Sequence, residues 1–348
     1  EYNLQFLNKK SIFNSFFEKF TSNTSYHPSP ETNFRTRIEF SVSFIEGNFN
    51  FTMTENKNPV SIKDFHICHK KINELMQDLI KEIRSNILIN EKLFQIEFQV
   101  SRQEDSFITL IYHRQLDYKW IKIASNLKAK INSSIIGRSR NQKIVLGKDF
   151  VTEIYSYNEK KFSLRLFEQC FNQPNPYICD SLINWLDQNI EKYGDIIELY
   201  CGLGTFTIFL SSQFHKIFAT ENSRPSIIGL KRNIKLSNAS NIFLARMSDE
   251  ETLQAVNNIR KFKRLKNINL EHFDFQSIFI DPPRQGLEVS TLERLKKFQQ
   301  IIYISCGFSS LKRDLNYLLK THRISSAGLF DQFPYTDHIE SAVVLKKI

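Results

Sequence analysis

Cysteine is scarce and unpaired in this chain. The five residues, Cys68, Cys170, Cys179, Cys201 and Cys306, are odd in number, and no two form a CxxC pair. That argues against a disulfide framework, a zinc ribbon and an iron–sulfur cluster. Free thiols fit the cytoplasm, and no metal is expected. Long hydrophobic runs are missing as well. Stretches such as IIELY and SIFI are far shorter than the ~20 apolar residues that span a bilayer, so no membrane partner is expected. The opening EYNLQFLNKK has no apolar core of a secretory signal, and it does not start with Met. With only 10 glycines the chain has no glycine-rich linker, and it shows no repeat or low-complexity tract.

What is present reads as globular. Hydrophobic residues make up 41% and charged residues 24%, which excludes disorder. A length of 348 residues suggests two domains, enough to bury a core without staples. Lys plus Arg (47) minus Asp plus Glu (37) gives +10, which favours a polyanionic partner such as nucleic acid. The competing explanation is drift in an AT-rich genome, since Lys, Asn, Ile and Phe are all abundant.

The chain divides into two rhythms. In the first, residues 36–44 alternate, with Ile38, Phe40, Val42 and Phe44 on one face. Ile72, Leu75, Met76, Leu79, Ile80 and Ile83 follow helical spacing. Alternating runs recur at Phe94–Val100 and Phe107–Tyr112, and a helix is expected over 118–131. This pattern predicts an α+β domain over 1–170, with a soft boundary between 150 and 175. From 171 to 348, short apolar strands alternate with amphipathic helices and end in a hairpin near 322–346. That predicts an α/β, doubly wound parallel sheet of Rossmann-like type, with its ligands at the carboxyl ends of the strands.

Four motifs stand at those ends. Glu198-Leu-Tyr-Cys-Gly-Leu-Gly-Thr-Phe206 supplies a glycine turn before a helix. An acid ahead of the glycines repels phosphate and suits a cationic, hydroxyl-rich cofactor. Glu221 ends the next strand, where a carboxylate accepts ribose hydroxyls. Together these point to S-adenosylmethionine (SAM). Asp281-Pro-Pro-Arg284 is a stiff loop; its Arg284 suits a carbonyl, such as uracil's, or a phosphate. Tyr303-Ile-Ser-Cys306-Gly places a nucleophile at a strand end. Phe330-Asp-Gln-Phe-Pro-Tyr-Thr-Asp-His-Ile-Glu340 carries His338 and Glu340. Two apart, they would share a strand face, and either could be a general base.

These motifs together resemble the RNA uracil-5-methyltransferase family. Phe171-Asn-Gln-Pro-Asn175, Tyr112-His-Arg-Gln-Leu-Asp117, Ile136-Gly-Arg138 and Leu329–His338 resemble the branch that methylates the T-loop uridine of tRNA, uridine 54. The similarity runs from about Asn33 to the C-terminus. It implies a class I SAM-dependent methyltransferase domain preceded by an RNA-recognition domain. The implied cofactor contacts are Gln173, Tyr200, Thr205, Glu221 and Asp281. Cys306 matches the nucleophile and Glu340 the proton-abstracting base. Arg284, Arg138 and Arg140 are substrate candidates, with Arg35, Arg37 and Lys143 as further basic positions. The implied partners are the tRNA T-arm and tmRNA-like RNAs; no obligate protein partner is implied.

Three departures stand out. Thr205 replaces a common Asn. Gly307-Phe308 replaces Asn-Pro after the nucleophile, which would loosen that loop. Ser341-Ala342 replaces Cys-Gly after the base.

The chemistry explains the residue types. Carbon 5 of uracil is a poor nucleophile until a thiolate adds at carbon 6 and makes an enolate. After methylation the proton on carbon 5 must leave before the thiolate can. Nearby positive charge is expected to favour the thiolate, and an ionised Glu340 is expected at neutral pH. The target base must also leave its stack. Two other readings stay open: the same chemistry on ribosomal RNA, and a non-catalytic RNA-binding protein on this fold.

Overall fold

The computed structural model describes every residue except Tyr193. The chain forms two compact units that interleave in sequence: Glu1–Ser29, Tyr155–Leu164 and Gln169–Ile348 make one, and Pro30–Ile154 with Arg165–Glu168 make the other. A single cut at 170 therefore departs from the packing. The opening helix α1 (Tyr2–Phe17) and strand β1 (Thr24–His27) belong with the C-terminal unit. Phe13 and Phe17 of α1 are fully buried in that unit's core, and β1 pairs in parallel with a strand more than 290 residues later. Apolar residues also sit on the exposed side of α1 (Leu4, Leu7), which blurs its helical period.

The inner unit is a seven-stranded sheet covered by helices. It contains β2 (Arg37–Ile45), β3 (Asn48–Glu55), β4 (Asn58–Ser61), α2 (Lys70–Ser85), α3 (Ile87–Asn90), β5 (Leu93–Val100), β6 (Ser106–Tyr112), α4 (Tyr118–Ile131), β7 (Ser134–Ser139) and β8 (Gln142–Leu146). The strand order is β4-β3-β2-β5-β6-β7-β8. The expected helix over 118–131 forms with those limits. It starts where the Asp117 side chain accepts the Trp120 N–H and ends at Asn132 in the left-handed conformation. The alternation in β2 holds for Ile38 and Phe40, but Phe44 is 65% exposed, with the ring of its cross-strand partner Phe49 5.2 Å away.

A ribbon of β9 (Phe150–Tyr157) and β10 (Lys160–Phe167) leads into the outer unit, to which its tip belongs. There follow α5 (Pro176–Asn189), β11 (Asp195–Leu199), α6 (Thr205–Ser211), β12 (Ile217–Glu221), α7 (Arg224–Ser237), β13 (Ile242–Arg246), α8 (Asp249–Val256), β14 (Phe275–Ile280), α9 (Val289–Leu295), β15 (Gln300–Ser305), α10 (Phe308–Leu318), β16 (His322–Phe330) and β17 (Glu340–Lys347). The sheet order is β1-β16-β17-β15-β14-β11-β12-β13.

The expected parallel, doubly wound sheet is present from β13 to β15. Strand β17 runs antiparallel to both neighbours. An antiparallel strand begins at the edge where its neighbours end, so the first residue of β17 joins the carboxyl ends of the parallel strands.

Candidate active site

The strand order reverses between β11 and β14, which opens a crevice at their carboxyl ends. After β11 the chain turns through Tyr200 (φ 59°), Gly202 (φ 53°) and Gly204 (φ 99°), all left-handed. A side chain on Gly204 would strike Leu230 of α7 at 2.3 Å, whereas the space beside Gly202 is open. Tyr200 adopts a conformation that costs a non-glycine residue energy, a pattern common at ligand sites. Burial and neighbouring Asp249 push its phenol pKa up.

Glu221, at the end of β12, is held against this turn. One carboxylate oxygen accepts the Gly202 N–H at 3.1 Å and the other the Ser223 N–H at 2.7 Å. Each oxygen keeps lone-pair capacity for a further donor. Glu198 is 1% exposed, and among the described residues neither of its oxygens has a well-formed hydrogen bond, with the Thr207 side chain its nearest donor influence. Burial pushes its pKa up to about 8. Asp281 follows β14 in a recess that raises its pKa to about 7 by desolvation, although part of its surface reaches solvent. Thr205 opens α6, and the Gln173 Oε1 accepts from Gln332 at 2.9 Å.

An orphaned buried acid, a spare acceptor pair on Glu221 and open space at Gly202 suit a ligand with a cationic end and vicinal hydroxyls. SAM fits that donor set. Among the described residues, no group of three or more His, Cys, Asp or Glu is placed to hold a metal ion.

Cys306 lies one residue beyond β15, and Glu340 opens β17. Ser305 pairs with Ser341 across these strands, so the next step of the antiparallel register sets Cys306 opposite Glu340. Of the five cysteines, only Cys306 is not fully buried. It lines a cavity of about 600 Å³ together with Arg284, Tyr335 and His338. Cys201, the other strand-end cysteine, is buried in the turn, and burial drives its pKa well up.

Four expectations change here. First, His338 and Glu340 do not share a strand face: β17 starts at Glu340, and His338 sits in the preceding loop. Second, Glu340 is not an ordinary ionised carboxylate. It is 5% exposed, and burial, followed by the charge of Asp281, raises its pKa to about 8.

Third, Cys306 is not a ready thiolate. Burial first, then Glu340 and Asp281, push its thiol up to about 11, and Arg284 opposes this only in part. Fourth, Gly307 tightens its loop. A Cβ there would lie 2.3 Å from the Arg284 carbonyl oxygen, so glycine lets the Asp-Pro-Pro-Arg loop close onto the nucleophile loop. The Ser310 hydroxyl seals the contact by donating to the same oxygen at 2.7 Å.

In the inner unit the basic candidates separate. The Arg138 guanidinium is bound in two places to buried Glu168, which also pairs with Lys143 at 3.2 Å. Arg37 pairs with Glu97, and Arg35 donates to the Arg37 carbonyl. Arg140 is exposed. With Arg114, Gln115 and Arg138 it lines a second cavity of about 600 Å³, where the Phe94 and His113 rings stack at 3.8 Å. His113 stands within the Tyr112–Asp117 run, where nothing local in the sequence gives it a role. Phe94 is 19 residues away in sequence, and only the β5–β6 pairing brings the two rings together.

A family model described as "tRNA (Uracil-5-)-methyltransferase" matches residues 1–348. A protein of Acinetobacter baumannii (strain ACICU) called tRNA/tmRNA (uracil-C(5))-methyltransferase is 40% identical over 342 residues, 95% of each chain. A protein of the same name from Cellvibrio japonicus is 40% identical over 322 residues, 92% of this chain and 88% of its own. Among solved structures, Pyrococcus abyssi tRNA (uracil-54, C5)-methyltransferase in complex with S-adenosyl-L-homocysteine superposes with a TM-score of 0.76 at 21% identity. The match covers 99% of this chain and 83% of that one.

Proposed function

The chain belongs to the tRNA (uracil-5-)-methyltransferase family, and from that premise we propose a specific target and a covalent mechanism for its reaction. It is a SAM-dependent enzyme that methylates carbon 5 of uracil in tRNA. The target in this reading is uridine 54 of the T-loop, the position in the name of the Pyrococcus abyssi enzyme. Transfer-messenger RNA is a second substrate, after the names of the bacterial relatives. The enzyme acts in the cytoplasm.

Bound SAM supplies the electrophilic methyl group. Glu221 accepts the ribose hydroxyls, and Gln173, Tyr200, Thr205 and Asp281 complete the contacts. The Cys306 thiol gives up its proton to water in the cavity as its sulfur adds to carbon 6 of the flipped-out uracil, and Arg284 donates to the oxygen that gains charge. Once carbon 5 is methylated, Glu340 removes its proton, the double bond re-forms and Cys306 leaves. A base whose pKa lies near the working pH is the efficient one, and burial brings Glu340 there. His338 remains the rival base. It lines the same cavity, but burial and Arg284 lower its pKa.

One observation carries this reading: the nucleophile follows the end of β15 and the base opens the adjacent antiparallel β17, beside the cavity that Cys306 lines. RNA binding is assigned to the inner unit, where Arg140 and the Phe94–His113 stack offer charge and a π surface.

The test uses tRNA containing 5-fluorouracil, whose fluorine cannot leave as a proton. A covalent complex surviving denaturing gels should form, map to Cys306 and vanish in Cys306→Ala. An adduct at Cys201 would reverse the assignment. Sequencing 5-methyluridine in tRNA and ribosomal RNA from cells with and without the protein locates the target.

A further inference from the structure

Helix α1 carries a buried ion pair that the mechanism above does not use. Lys9 is 2% exposed, and its ammonium donates to fully buried Asp331 at 2.7 Å and to the Phe333 carbonyl at 2.9 Å. One turn earlier, Gln5 donates to the Thr336 carbonyl at 2.9 Å and accepts the Tyr335 N–H at 3.3 Å. Tyr2 sets its ring 5.9 Å from that of Tyr335. All of these partners lie in the 331–339 loop, which leads directly into Glu340.

The far end of α1 meets the other catalytic loop. The rings of Phe13 and Phe17 lie 6.4 Å and 6.2 Å from that of Phe308, two residues after Cys306. A buried ion pair is weak evidence for stability, since desolvating both charges offsets their attraction. Its partners here are all in one loop, which points to a different role.

We propose that α1 is a positioning element spanning both catalytic loops, and that Lys9 anchors the 331–339 loop so that Glu340 reaches carbon 5 of the Cys306-bound uracil. The proposal rests on Glu340 being the base. Lys9 touches no reacting atom and acts through the loop. Losing the anchor should slow the elimination step while leaving thiol addition and methyl transfer intact, because Cys306 follows its own strand and Phe308, two residues on, packs against Phe13 and Phe17 of α1 without Lys9.

The experiment compares the full-length enzyme with Lys9→Met, Lys9→Arg, Gln5→Ala and Glu340→Gln, using unmodified tRNA and SAM in single turnover. In Lys9→Met a methylated covalent adduct should build up on denaturing gels. Elimination should slow on the order of a hundredfold, the cost of a group misplaced by about 1 Å. Adduct formation with 5-fluorouracil tRNA should be unchanged, Gln5→Ala should show a smaller slowing of the same step, and Lys9→Arg should restore part of the rate.

A folded Lys9→Met with no adduct, or one in which every step slows together, overturns the proposal. If Lys9→Met does not fold, Gln5→Ala decides by the same readout. Adduct in Glu340→Gln but in neither α1 variant sinks the anchor and leaves the base assignment standing. Adduct in Lys9→Met but not in Glu340→Gln supports the anchor and moves the base to another group on the loop, His338 first.

Discussion

In the inner unit, the fully buried Glu153 lies 2.8 Å from the Arg102 guanidinium, and buried Glu168 is held by Arg138 and Lys143. At the carboxyl edge of the outer sheet, Glu198, Asp281 and Glu340 lie close enough to interact, and none of the three forms an ion pair among the described residues. Their pKa values are raised to about 8, 7 and 8, with desolvation the first cause in each. Glutamates buried to a similar depth are neutralised by arginine in one place and, at Glu198 and Glu340, left to hold a proton in the other. The first arrangement serves packing. The second keeps an acid available, either to meet a ligand's positive end or to exchange a proton with substrate.

The contrast can be broken most sharply at Glu340. Glu340→Gln should add Cys306 and transfer methyl, but lose turnover by about 10²–10⁴-fold, the range for general-base loss. A methylated adduct should accumulate on ordinary tRNA, whereas His338→Asn should turn over. Ordinary turnover by Glu340→Gln would make Glu340 structural, like Glu153.

The next largest effect lies in the inner unit. Arg102→Met removes the only cation paired with Glu153 among the described residues, leaving the backbone N–H groups of residues 102 and 154 as its donors, and should cost about 3–5 kcal/mol of stability by denaturant titration, as for a broken buried pair. A neutral result would erase the distinction between the two sets of acids. Removing Glu221 tests the acid proposed to face the cofactor. Two charge-assisted hydrogen bonds, each worth about 1.5–3 kcal/mol, should disappear from SAM binding in Glu221→Ala. Calorimetry that finds the affinity unchanged refutes the ribose assignment.

Glu198 gives a pH signature. Its folded pKa, about 8, stands above an unfolded value of about 4.3. Its contribution is fully present below the unfolded pKa and declines as pH rises through the folded one. The cofactor-free protein should thus melt at lower temperature at pH 8 than at pH 5, and Glu198→Gln should flatten that fall. A variant with the wild-type pH slope would show that Glu198 does not hold its proton.

The smallest effect concerns the inner unit's cations. Arg140 is exposed while Arg138 is bound to Glu168, so Arg140→Ala should reduce the salt slope of tRNA binding by about one unit. An unchanged slope would leave the cavity at Phe94 and His113 to be read by stacking alone.

Much of this could be read from local pattern. Helix α4 was legible because its apolar spacing and its Asp117 cap are both local. The parallel core strands were legible as short apolar runs. The glycine turn, Glu221, Asp281 and Cys306 announced themselves by standing at predicted strand ends. Helix α1 was not legible, because Phe13 and Phe17 are buried by residues about 300 positions away while Leu4 and Leu7 are exposed. The Phe94–His113 stack stayed hidden because strand pairing, not sequence distance, sets which rings meet.

The sequence by itself determined which elements form, where the doubly wound sheet must place its ligands, and which cysteine stands at that edge, because those depend on periodicity, turn chemistry and residue type. Only the tertiary structure decided that β17 lies between β16 and β15, which sets Glu340 opposite Cys306. It alone decided that Glu340 and Cys306 lie in surroundings that raise both pKa values, that Gly307 draws two loops together, and that Lys9 reaches Asp331. Desolvation and close approach depend on neighbours from distant parts of the chain, and no local pattern of residues encodes them.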